Sequence, residues 1–201
     1  MNSAIRRLAM TLAAGAACLL PILAGCGKSA PTHFYSLSGA APAAEGDGPS
    51  GPCLAVGIGP VDFPSYLDRS QIVTRTGANQ MHLAEFEQWI EAPHDNFQRA
   101  LTENLSRLVC VKPIYTYPWP VGARLERQVV IQVARLDGTL GQEAVLRVNW
   151  SVLDADHKTL EWRSGDYREP VSGPDYASLA AAESRLVEKF AKEVAATLAG
   201  K

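Results

Sequence analysis

Three runs in the second half of the chain alternate apolar and polar side chains with a period of two: residues 128–136, 144–153 and 159–163. In the middle run Ala144, Leu146, Val148, Trp150 and Val152 interleave with Arg147, Asn149 and Ser151, and in the third Leu160 and Trp162 share a face. Successive side chains of a strand point to opposite faces, so this pattern demands a sheet with one buried face. The links at 137–142 and 154–158 are short, which predicts an antiparallel meander, because parallel neighbours need a longer crossover.

A sheet with one apolar face must be covered. Two stretches carry the required stripe at helical spacing. Phe97, Ala100, Leu101, Leu105 and Leu108 predict a helix from residue 94, with Pro93 and Asp95 suited to its first turn. Leu179, Leu186, Phe190, Val194 and Leu198 predict a second over 176–198, capped by Asp175. The expected class is α/β, bordering on α+β: a single mixed β-sheet with two main helices packed on it.

Further strands are expected at 33–37, at 54–61, where Pro60 and Pro64 lead the chain out, and at 109–115, ended by Pro118 and Pro120. Residues 72–75 and 80–83 read as a hairpin around Thr76-Gly77-Ala78-Asn79. The stretch 39–52 is rich in Gly, Ala and Pro and reads as a flexible loop. The order of strand, hairpin, helix and strand allows a βαβ-like unit whose two parallel strands start at Cys53 and Cys110.

The first 25 residues stand apart. Arg6 and Arg7 precede an apolar run at 8–23, short for a membrane span and typical of a signal peptide. Leu23-Ala24-Gly25-Cys26 is similar to the lipobox of bacterial lipoproteins, in which the cysteine is acylated. Residues 1–25 are thus expected to be a lipoprotein signal peptide, 26–32 the acylated Cys26 and a tether of about 20 Å at full extension, and 33–201 one periplasmic domain. Two or three acyl chains hold a protein on a membrane where one does not. Gly27 rather than Asp after the anchor points, by analogy with enteric sorting, to the outer membrane. With Cys18 in the leader and Cys26 acylated, Cys53 and Cys110 remain. In an oxidising compartment an even pair suggests a disulfide, worth about 4 kcal/mol for a loop of this length; two buried thiols are the alternative.

Signs of chemistry are few. A net charge of −2 with no basic block argues against nucleic acid. His33, His82, His94 and His157 have no ligand-like spacing, and there is no CxxC, so no metal is expected. Gly57-Ile58-Gly59-Pro60 starts like a dinucleotide fingerprint but lacks its third glycine, and Pro60 bars the helix that should follow. Asp154 and Asp156 suit a turn better than a catalytic pair. The expectation is no enzyme, no catalytic residue and no cofactor. Tyr66, Leu67, Arg69, Arg75 and Trp89 form a mixture enriched in protein interfaces and are the candidate partner or self-assembly surface; the plainer reading has the aromatics packing the core edge and the arginines in salt bridges.

Taken in order, Leu23-Ala24-Gly25-Cys26, Phe34-Tyr35-Ser36-Leu37, Val56-Gly57-Ile58-Gly59-Pro60-Val61, Tyr66-Leu67-Asp68-Arg69, Ile72-Val73-Thr74-Arg75, Trp89 and Asp95-Asn96-Phe97 resemble the PqiC (YmbA-like) family of ABC-type transport auxiliary lipoproteins. The resemblance implies an outer-membrane-anchored subunit facing the periplasm. Its implied partner is an inner-membrane-anchored MCE-domain protein, with which it moves lipids between membranes and supports envelope integrity. It brings no catalytic residues, and since MCE proteins form rings it leaves room for a homo-oligomer. The alternative function is a structural or regulatory lipoprotein of another envelope machine, for cell-wall synthesis or lipopolysaccharide assembly. The 39–52 loop and the cysteine pair depart from the family pattern.

Overall fold

A computed structural model describes residues 29–39 and 53–200; the expected signal peptide, Cys26 and the 40–52 part of the glycine-rich stretch lie outside them. The meander forms as its period predicts. Strands β6 (Arg127–Gly138), β7 (Glu143–Leu153) and β8 (Thr159–Pro170) pair antiparallel in sequence order. Asp154 tightens the second link by accepting the N–H groups of Asp156 and Lys158.

The other flank of β6 is shared. β2 (Leu54–Asp62) runs parallel to its first half, from Val56 beside Arg127 to Asp62 beside Gln132. β3 (Gln71–Arg75) meets its far end, Thr74 beside Gly138. β5 (Val111–Thr116) then adds parallel to β2, while β4 (Met81–Trp89) pairs antiparallel with β3 and carries β1 (His33–Tyr35) parallel on its outer edge. The result is one mixed eight-stranded sheet. Two strands run further than periodicity suggested: β4 to Trp89, because β1 and β3 pair on both its sides, and β8 to Pro170, because β7 supplies backbone partners to a polar edge.

Helices α1 (Pro93–Leu108) and α2 (Tyr176–Ala199) cover the sheet. Asp175 caps α2 by accepting the Ser178 N–H at 2.7 Å, as its sequence position required. The core centres on Phe190, whose ring meets Phe97 of α1 at 6.1 Å and Trp150 of β7 at 5.8 Å. Gly138 lets α2 approach β6: a Cβ there would lie 2.6 Å from Leu179 Cδ1 and 2.9 Å from the Glu143 carbonyl oxygen.

Cys53 and Cys110 immediately precede the paired strands β2 and β5, and they are disulfide-bonded with Cα atoms 4.5 Å apart. The bridge closes a 57-residue separation across the βαβ-like unit. Replacing both cysteines with serine is expected to lower unfolding free energy by about 4 kcal/mol on the chain-entropy account, read as an earlier urea midpoint with a steeper slope, because the uncrosslinked unfolded chain exposes more surface.

Candidate functional site

The chain enters its sheet at β1, and the residues after it form a strap fastened to both helices. Glu87 of β4 holds β1 through its side chain: the Tyr35 hydroxyl donates to it, and His33 Nδ1 lies 3.0 Å from Oε1. Burial and that carboxylate push the Tyr35 phenol up to about 12. Beyond β1 no strand is available, so side chains satisfy the backbone. The Leu37 N–H donates to Asn96 Oδ1 at 2.9 Å, and Arg99 Nη2 donates to the Leu37 carbonyl at 2.9 Å and to Ser36 Oγ at 2.6 Å. Glu91 holds the same guanidinium at 2.7 Å. On α2, Ser184 Oγ accepts the Ser38 N–H at 3.1 Å. With Leu37 also buried in the core, β1 and the strap are joined to α1, α2 and β4 together.

Beside the strap lies a buried charge cluster at the end of β6. Asp137 is 0% exposed and pairs with Arg75 at 3.0 Å and Arg135 at 2.8 Å, while the Tyr66 hydroxyl donates to it at 3.4 Å. Burial raises the Tyr66 phenol, helped by the Asp137 charge. One layer inward, Glu183 of α2 and Asn96 of α1 line a cavity of ≈ 20 Å³ walled by Leu67, Ile72, Trp89 and other apolar side chains. Its size suits a single water molecule. Asn96 Nδ2 is buried there without a partner. Burial, reinforced by the negative charge of Asp137, drives the Glu183 carboxyl well above the ordinary carboxylate range, so it is held neutral.

The five residues singled out as a surface divide accordingly. Leu67 and Trp89 belong to the core, and Tyr66 and Arg75 serve Asp137. Of the five, Arg69 alone presents an exposed side chain without a partner among the described residues, on the rim of an open groove of ≈ 320 Å³ beside Ile90 and Glu91. Sequence reasoning missed Asp137, which sits in an expected turn, and Glu183. A signal for Glu183 existed: it falls four residues after Leu179 and three before Leu186, inside the apolar stripe of α2. Among the described residues no group of three or more His, Cys, Asp or Glu is arranged to hold a metal.

These features define a class: a small α/β body without a metal-type cluster among its described residues, strapped firmly to its own N-terminal segment. Residues 35–195 match the family model described as ABC-type transport auxiliary lipoprotein component, and the chain belongs to that family. It is therefore an auxiliary lipoprotein of a transport system, held at a membrane by its lipid. Two solved structures share the fold. One is a Xanthomonas campestris protein of the DUF330 family model, with a TM-score of 0.67 at 15% identity, covering 82% of this chain and 93% of its own. The other is an uncharacterized protein, also at 0.67 and 15%, covering 84% and 99%. No curated protein matches the chain.

The buried carboxyl generates a pH prediction. Its folded pKa is raised above the unfolded value, so the unfolded chain releases that proton first, and stability falls as pH rises from about 4.5 toward the folded pKa. Glu183→Gln removes this dependence. The variant is expected to be more stable than the parent at pH 7, with the difference shrinking below pH 4.5, measured by urea unfolding across that range.

Proposed function

We propose that the protein is the outer-membrane-anchored, periplasm-facing subunit of an MCE-type intermembrane lipid transport system, where it docks the conduit reaching from the inner membrane and supports envelope integrity. The observation that carries this reading is the strap: the first part of the body beyond the tether, β1 and residues 36–38 after it, is bonded to β4 and to both helices, as a fixture close to its anchor requires. Family membership supplies the transport context. The Cys53–Cys110 disulfide suits an oxidising compartment outside the cytoplasm.

In this reading the subunit acts by position and not by chemistry. The Asp137 cluster is paired within itself and the Glu183 carboxyl is closed inside a cavity with room for one water, which suits a rigid mount and leaves substrate handling to its partner.

The test is affinity purification of the intact lipoprotein from gently solubilised envelopes, with mass spectrometry of bound proteins and lipids. An MCE-domain protein recovered with phospholipid is the expected result, and Cys26→Ser is expected to release the chain from the membrane and weaken the envelope. Recovery of wall-synthesis or lipopolysaccharide machinery instead would overturn the assignment.

A further inference from the structure

The hydrogen bonds of Asn96 fix which way its amide points. Three groups converge on Oδ1: the Leu37 N–H at 2.9 Å, Arg99 Nη2 at 2.9 Å and the Ser36 hydroxyl at 3.4 Å. A backbone N–H and a guanidinium have no lone pair to offer, so an oxygen must face the strap and the Nδ2 group must face inward. There Nδ2 is buried, with no hydrogen-bond partner among the described residues. A buried donor left in that state is costly, so its acceptor has to be sought in the space it faces.

That space is the ≈ 20 Å³ cavity it shares with Glu183. The Glu183 side chain is 2% exposed, and Asn96 Nδ2 does not reach it directly. Leu37, Phe63, Ile72 and Leu136 supply apolar wall, and the indole of Trp89 is a donor only. Among the described lining residues, the Glu183 carboxyl is therefore the one side-chain acceptor within the cavity.

Size and charge select what joins the two groups. The cavity has room for one water and for nothing larger. A cation would be set against the Asn96 N–H groups, and no cationic side chain among the described residues lines the wall to pair with a buried anion. A neutral molecule that both accepts and donates meets the need. The two groups stand on different helices, Asn96 on α1 and Glu183 on α2, and the residue after Glu183, Ser184, holds the Ser38 N–H of the strap. We propose that this cavity is a binding site for one water molecule, which accepts a hydrogen bond from Asn96 Nδ2 and donates one to the Glu183 carboxyl, joining α1 to α2 beside the strap. The site depends on no partner, so it stands apart from the transport reading.

The test is a crystal structure of the full-length lipoprotein, purified in detergent, at a resolution that shows ordered water, together with those of Glu183→Gln and Glu183→Leu. Glutamine keeps an acceptor oxygen at this position, whereas leucine fills similar space and removes it. The expected result is a water about 2.7–3.2 Å from both Asn96 Nδ2 and the polar end of residue 183 in the parent and in Glu183→Gln, lost in Glu183→Leu. A direct hydrogen bond between Asn96 and Glu183 in place of the water would overturn the proposal, as would an ion at the site. A water that stays in Glu183→Leu would overturn it as well, since Glu183 would then not be what holds it. If Glu183→Leu does not fold, the parent and Glu183→Gln structures decide the site on their own.

Discussion

The structure depends on β6 pairing with two different strands along one flank. β7 occupies the other flank along nearly the whole strand, so β2 and β3 must divide what remains, β2 taking Arg127–Gln132 and β3 only Gly138. This division makes a single sheet out of a parallel unit and a hairpin. Where β2 leaves and β3 has not yet arrived, the interior next to β6 cannot be closed by strand pairing. Asp137 with its two arginines, Tyr66, and the small cavity at Glu183 and Asn96 occupy that region. A buried ion cluster of this kind is weak evidence for stability, since desolvation offsets much of the attraction. Its geometry instead fixes one arrangement, because Arg75 of β3 and Arg135 of β6 must converge on the same carboxylate.

The same division gives the body two ends. At the Gly138 end lie the entry of the chain and the start of α2, and at the other lie the disulfide and the connection between β5 and β6; the strap runs from one toward the other, from Asn96, which accepts the Leu37 N–H, to Glu103, which accepts the Gly39 N–H at 3.2 Å. Both helices run from the first end toward the second, which carries the disulfide.

The meander, both helices, the hairpin and the parallel pair behind the disulfide were legible because each rests on local periodicity or on turn chemistry spread over a few residues. The site was less so. Arg75 and Asp137 stand 62 residues apart, and nothing local marks them as partners, so Arg75 read as a surface cation and Asp137 as a turn residue. Trp89 and Leu67 read as interface because aromatic and aliphatic residues beside arginines occur in both settings; burial separates the two and is a property of the assembled sheet. The strap was invisible for a related reason. Leu37 and Ser38 are held by side chains of Asn96, Arg99 and Ser184, from two helices that sequence order places far away.

The central claim is that the strap belongs to the cooperative core and is not a loose leash. Native-state hydrogen exchange measures this directly, by comparing the Leu37 amide, bonded to Asn96, with the Ile131 amide in the middle of β6. The account predicts that both exchange through the same global opening, with protection that falls in parallel as denaturant is added. Exchange of Leu37 through a local opening insensitive to denaturant, while Ile131 stays protected, would contradict it, because the anchor would then pull on a segment that yields before the fold does.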